Sequence, residues 1–181
     1  IVAGLLRVGV GSTAVGTLTL DGPNALVTCP AGGQTFIGNP NARGFLNVTG
    51  GARFVSSRGL LLDARSSQGS VVTVDGAGST MTFLGATSDI VGANQASFAN
   101  DIVVQNGGTI TTEANVLLGA SPLRPGRLRV GDATATLQST LTIAGDLRLG
   151  DTLTSTPGSF GSADFLRMSM VSVGGNIYLG D

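Results

Sequence analysis

The side chains able to do acid–base or metal chemistry here are chiefly carboxylates, among them Asp63, Asp75, Asp89, Asp101, Glu113, Asp132, Asp146, Asp151 and Asp164. Aspartates clustered beside a histidine would point to hydrolysis by general acid–base catalysis. An acidic cluster holding calcium beside an arginine or lysine base would point to eliminative cleavage of an acidic polysaccharide. The chain contains neither histidine nor lysine, and its acids are scattered along the sequence. Most sit beside turn formers, where aspartate is favoured by local bonds to the backbone. Asp63 and Asp89 are the pair that chain stacking would bring together.

Other motifs carry less. Cys29 is the single cysteine, so it forms no intramolecular disulfide and reads as a small buried hydrophobe beside Pro30. The run Gly9 to Gly16 is glycine-rich but lacks the Lys-Ser/Thr step and following helix of a phosphate loop. Asp75-Gly76-Ala77-Gly78 echoes calcium-binding loops, yet those recur about every nine residues. The arginine-rich run Leu123 to Arg129 lacks the arginine–proline spacing of the lyases. The expectation is no catalytic residue, no cofactor, no metal ligand set and no enzymatic activity.

What must position these side chains is a repeat. A short apolar strand returns as Leu6-Arg7-Val8-Gly9, Thr35-Phe36-Ile37-Gly38, Leu60-Leu61-Leu62-Asp63, Asp89-Ile90-Val91-Gly92, Val116-Leu117-Leu118-Gly119, Leu147-Arg148-Leu149-Gly150 and Ile177-Tyr178-Leu179-Gly180. The final positions are 25 to 31 residues apart, a period typical of stacked supersecondary units. A second series alternates apolar and mostly polar residues: Leu18 to Leu20, Leu46 to Val48, Val72 to Val74, Ile102 to Val104, Leu128 to Val130 and Leu166 to Met168. That is the signature of a strand with one buried face. A weaker third series is assigned to Ala25–Thr28, Arg53–Val55, Thr80–Phe83, Thr109–Thr112 and Thr136–Gln138.

Three strands per turn predict an all-β fold. The expected architecture is a parallel β-helix, or β-solenoid, of about six coils of roughly 28 residues. Crossover chirality makes it right-handed. An immunoglobulin-like sandwich also spaces strands closely, but it does not require every third strand to share a signature. Residues 1–181 are read as one β-helix segment, a piece of a longer solenoid. Variable loops (Asn39–Arg43, Ala120–Pro125, Asp151–Asp164) are expected at one corner.

Composition agrees with this and excludes much else. Hydrophobic residues make up 41% of the chain but aromatics only 4%, so the core must be built from branched aliphatics. The net charge is −1 and no basic tract occurs, which argues against nucleic acid. No stretch approaches the ~20 apolar residues of a membrane span, so no membrane insertion by this segment is expected. No basic n-region with an apolar h-region is present to mark a signal peptide.

The runs Gly16–Gly22 (GTLTLDG), Val74–Ser79 (VDGAGS) and Gly145–Asp151 (GDLRLGD) resemble the glycine-rich repeats of bacterial autotransporter passenger domains and related surface adhesins. The resemblance implies a right-handed parallel β-helix, few cysteines, an extracellular or cell-surface location, and adhesive, matrix or stalk roles. Partners would then be other protein subunits, through self-association or assembly, or surface glycans. A carbohydrate-binding or polysaccharide-cleaving β-helix, lyase-like or tailspike-like, is the alternative.

Two outward-facing patterns remain. If the flanking residues of the glycine-terminated strands point inward, their middle residues point out: Arg7, Phe36, Leu61, Ile90, Leu117, Arg148 and Tyr178. Phe36, Leu61, Ile90, Leu117 and Tyr178 are the candidate interface ridge, because a continuous exposed apolar strip marks an interface. The pairs Thr17/Thr19, Thr80/Thr82, Thr109/Thr111, Thr134/Thr136 and Thr140/Thr142 resemble the ladders of ice-binding solenoids. Arg53 interrupts them and the pairs are assigned to different strand series, so they read as β-propensity on a solvated face.

Overall fold

The computed structural model describes residues 1–11, 13–30, 34–38, 42–62, 69–87, 89–92, 100–119, 126–150 and 161–180. The described residues form 19 strands in three parallel sheets, and every third strand joins the same sheet. The first sheet holds β1 (Leu6–Val8), β4 (Thr35–Ile37), β7 (Leu60–Leu62), β10 (Ile90–Gly92), β13 (Val116–Leu118), β16 (Leu147–Leu149) and β19 (Ile177–Leu179). The second holds β2 (Val15–Asp21), β5 (Arg43–Thr49), β8 (Val71–Asp75), β11 (Asn100–Gln105), β14 (Gly126–Val130) and β17 (Gly161–Phe165). The third holds β3 (Leu26–Cys29), β6 (Arg53–Ser56), β9 (Thr80–Phe83), β12 (Thr109–Thr112), β15 (Ser139–Ile143) and β18 (Ser169–Val173). This is the β-solenoid expected, with three strands per coil. Five full turns separate β2 from β17, and no helix occurs among the described residues.

Alternation builds the core. In β5 the pattern is strict: Gly44, Leu46 and Val48 are buried, while Arg43, Phe45, Asn47 and Thr49 are only partly so. Parallel pairing then stacks like on like. The column Leu18, Leu46, Val72, Ile102, Leu128, Ala163 runs through the second sheet, and Val27, Phe54, Met81, Ile110, Leu141, Val171 runs through the third. The apolar side chains of all three sheets merge into one continuous core, so each coil is stabilised by its neighbours. At the level of β19, Ile177 and Leu179 stand 56% and 72% exposed, although their partners Leu147 and Leu149 are buried.

Corners use the left-handed backbone region. Gly9, Gly38, Gly119 and Gly150 end first-sheet strands with φ between 72° and 86°, where a Cβ would clash with the following carbonyl. Next to each, an inward glycine opens the second sheet: Gly16, Gly44, Gly126 and Gly161. A Cβ on Gly44 would lie 2.3 Å from the Gly38 nitrogen and 2.5 Å from the Val8 oxygen. In the two coils whose strands are followed by Asp63 and Ala93 instead, the inward position holds Ser70 and Asn100. Both are fully buried and hydrogen-bonded in a ladder. The Gly44 amide donates to Ser70 Oγ (3.1 Å), the Ser70 amide to Asn100 Oδ1 (2.7 Å), and Asn100 Nδ2 to the Leu62 carbonyl (3.3 Å).

Three assignments change. The sixth member of the second series is Ala163-Asp164-Phe165 in β17, paired with Leu128-Arg129-Val130. Leu166 to Met168 form the turn that follows, and Met168 has a φ of 58°. The apolar–polar–apolar triplet is degenerate enough to fit both places. In the third series the fifth strand is β15 rather than Thr136–Gln138, and β18 is a sixth. Residues 39–41, 120–125 and 151–160 of the three variable loops lie outside the described residues; each loop connects the first sheet to the second.

Candidate functional site

Register assigns the carboxylates to structure before chemistry. Immediately ahead of four successive first-sheet strands stand Asp89, Asn115, Asp146 and Asn176. Asp89 Oδ1 accepts from the amide (3.1 Å) and side chain (3.0 Å) of Asn115. Asn115 Oδ1 accepts from the Asp146 amide (2.8 Å), and Asp146 Oδ1 from the Asn176 amide (2.9 Å). The Asn176 amide, then Arg148, hold the Asp146 carboxyl below its ordinary range. Asp75 accepts from Gln105 and Asn106 of the next coil, and Asp21 from Thr49. Asp132 accepts from the hydroxyl and amide of Thr134, which lower its pKa. Asp164 takes Arg127 at 2.5 Å, an exposed pair of small energetic weight. Asp63 and Asp151 lie outside the described residues, so the Asp63–Asp89 pairing has only its Asp89 half on view, committed to Asn115. Among the described residues no three of His, Cys, Asp and Glu gather to hold a metal. Cys29 is fully buried, and burial pushes its thiol up against a smaller opposing effect of the Thr35 hydroxyl.

Asp101 is different. It lies outward on β11, paired with Arg127 of β14, yet its Oδ1 is buried and lacks a hydrogen-bond partner among the described residues. Burial pushes this carboxyl up, while Arg127, Arg129 and Arg43 pull it down without cancelling the shift. A carboxyl with a raised folded pKa is compatible with folding while protonated and penalises it once ionised. The penalty is therefore absent below the ordinary aspartate range and grows as pH rises through the folded pKa. Asp101→Asn should raise the melting temperature at pH 7 and leave it unchanged near pH 3. Equal shifts at both pH values would contradict this.

The outer ladder of the first sheet runs in strict register: Arg7, Phe36, Leu61, Val91, Leu117, Arg148, Tyr178. Six of the seven candidates from sequence are therefore brought into one column. Ile90 is not among them. It pairs with Leu60 and Val116, points into the core and is 1% exposed; Val91 takes the outward rung. Gly92 occupies the third strand position, level with Leu62 and Leu118, where sequence reading made it the corner residue. One residue of slip flips a strand's faces. The signal that finds Val91 is the Asx residue before the strand: Asp89 aligns with Asn115 and Asp146.

The five inner rungs are half-buried, because side chains ~4.8 Å apart along the solenoid axis cover each other's flanks, while the end rungs Arg7 and Tyr178 are exposed. Phe36, Leu61, Val91 and Leu117 form its apolar middle. At each end an arginine lies over a ring: Arg7 over Phe36 at 5.3 Å and Arg148 over Tyr178 at 4.5 Å. Arg148 also pairs with Asp146 at 2.9 Å.

The third sheet carries the threonines. Thr80, Thr109 and Thr140 are in register, as are Thr82, Thr111 and Thr142. These three pairs share one face of one sheet, so Thr140/Thr142, left outside the third series by the sequence reading, joins Thr80/Thr82 and Thr109/Thr111. Arg53 and Val55 follow on β6, Met170 and Ser172 on β18. Thr17 and Thr19 lie on β2, whereas Thr134 and Thr136 lie outside any strand.

No protein-family model matches the chain, and no curated protein or solved structure matches it either.

Proposed function

We propose that this chain is a segment of a structural or adhesive β-solenoid, extracellular or at the cell surface, that works by stacking and by lateral association. The observation that carries the reading is the unbroken first-sheet ladder, with four apolar rungs in succession. A stiff column presenting one aligned apolar strip suits side-by-side contact with other protein subunits. The carboxylates support a non-enzymatic role, since most described ones are engaged in coil-to-coil or turn bonds. Likeness of repeat style to autotransporter passenger and adhesin segments supports the location. The end strands carry the same edges and core cross-section that join coils internally. A further coil of this kind, in the same chain or another, would stack there.

Leu61→Asp places a charge in the middle of the strip while leaving the inward faces untouched. In sedimentation velocity across a concentration series, the wild-type weight-average coefficient should rise with concentration and the variant's should stay flat. Circular dichroism should be the same for both. Identical sedimentation of wild type and variant would remove the ridge from the function.

A further inference from the structure

We infer that the partner of this ridge is a second copy of the same chain, packed antiparallel with Val91 of each copy on the two-fold axis. The inference rests on the reading of the ridge as a lateral contact and adds the identity and direction of the partner. An isologous interface needs a patch that is complementary to itself under a two-fold rotation. The ladder Arg7, Phe36, Leu61, Val91, Leu117, Arg148, Tyr178 meets that condition about its central rung. Under the rotation Val91 faces Val91, and Leu61 faces Leu117. Phe36 faces Arg148, and Arg7 faces Tyr178.

Apolar side chains thus meet in the centre, and each arginine meets an aromatic ring at both ends. Within one copy Arg7 already lies over Phe36 and Arg148 over Tyr178. Pairing sets these two stacks side by side in opposite order, so cation and ring alternate as on a checkerboard. Asp146, bound to Arg148, supplies a negative charge beside each cluster. Arginine over a ring is attractive and is strengthened when water is excluded.

Other registers fail on the same residues. Parallel pairing sets Arg7 against Arg7 and Arg148 against Arg148. Sliding the antiparallel axis half a rung toward Leu61 sets Arg7 against Arg148. Sliding it half a rung toward Leu117 sets Arg148 against Leu61. A full rung toward Leu61 sets Arg7 against Leu117, and a full rung the other way sets Arg148 against Val91. Only the Val91-centred register uses all seven rungs with every arginine on a ring. Seven rungs ~4.8 Å apart and a strip ~10 Å wide give a contact of roughly 300 Å² per copy. A standard interface takes about 800 Å² per partner, so the ladder alone makes a weak, reversible pair.

Thiol cross-linking reads the register directly. Packed sheets lie about 10 Å apart, beyond disulfide reach, so a short bis-maleimide serves as the probe. Single-cysteine full-length variants are made in a Cys29→Ala background: Val91→Cys, Leu61→Cys and Leu117→Cys. The expected pattern is a covalent dimer for Val91→Cys alone. Leu61→Cys and Leu117→Cys stay monomeric singly and yield a dimer when mixed. Dimers of Leu61→Cys alone and Leu117→Cys alone, with no mixed Leu61→Cys/Leu117→Cys species on combining them, would overturn the antiparallel register yet keep lateral association. No cross-link from any variant, with concentration-independent sedimentation of the Cys29→Ala parent, would overturn both.

Discussion

Phe54→Ala should lose about 3–5 kcal/mol of stability, the range for truncating a fully buried phenylalanine. Phe54 is completely buried in the narrow interior, level with Val27 and Met81 in neighbouring coils. Its ring lies 6.1 Å from that of Phe83, tilted by 52°, the geometry in which aromatic pairs attract beyond area burial. Small neighbours make room for Phe83, since Ser56 and Thr112 flank it in its column. Ser56 Oγ donates to the Arg58 carbonyl and Thr112 Oγ1 accepts from the Ala114 amide, so neither hydroxyl is orphaned beside the ring. With strands hydrogen-bonded above and below, the backbone cannot collapse into the hole. Urea denaturation checks this, with a midpoint far below wild type. A loss under 1 kcal/mol would mean that the coil relaxes as the register argument forbids.

Asn100→Ala should cost about 2–6 kcal/mol through a different mechanism, because two buried backbone groups each lose a hydrogen bond to its side chain, at ~1–3 kcal/mol per bond. The Ser70 amide donates to this side chain and the Leu62 carbonyl accepts from it. Ser70→Ala should cost less, since it orphans only the Gly44 amide. The comparison by thermal melts separates lost hydrogen bonds from a simple volume effect. Equal losses in the two variants would contradict the ladder.

Much of this fold is legible from two local rules. Period-2 alternation marks Leu46 to Val48 or Val72 to Val74 as strands without reference to anything distant. A glycine that must take positive φ marks the corner at Gly9, Gly38, Gly119 and Gly150. The same glycine rule misleads at Gly92, which lies inside β10, and the ridge rung moves from Ile90 to Val91. Alternation alone misleads at Leu166 to Met168, where a triplet of the right type forms a turn. The role of the carboxylates could not be read locally at all. Asp89, Asn115, Asp146 and Asn176 gain their meaning only when coils 26 to 31 residues apart are stacked. The threonine face is hidden for the same reason, because a register across three coils decides whether pairs align.

Inward positions are over-determined, since each must match its neighbours above and below. Outward positions are constrained only by β-propensity and by what they touch. That is why most core columns could be anticipated from sequence, while one ridge rung and the alignment of the threonines needed the structure. It is also why outward regularity is informative here: nothing in the packing demands three aliphatic rungs between two arginine–aromatic stacks.

The most direct test is electron microscopy of the purified chain across a concentration series, with Leu61→Asp beside it. Rods lying side by side at high wild-type concentration, and single rods for the variant, are the expected result. Single wild-type rods at every concentration would contradict association through the first sheet.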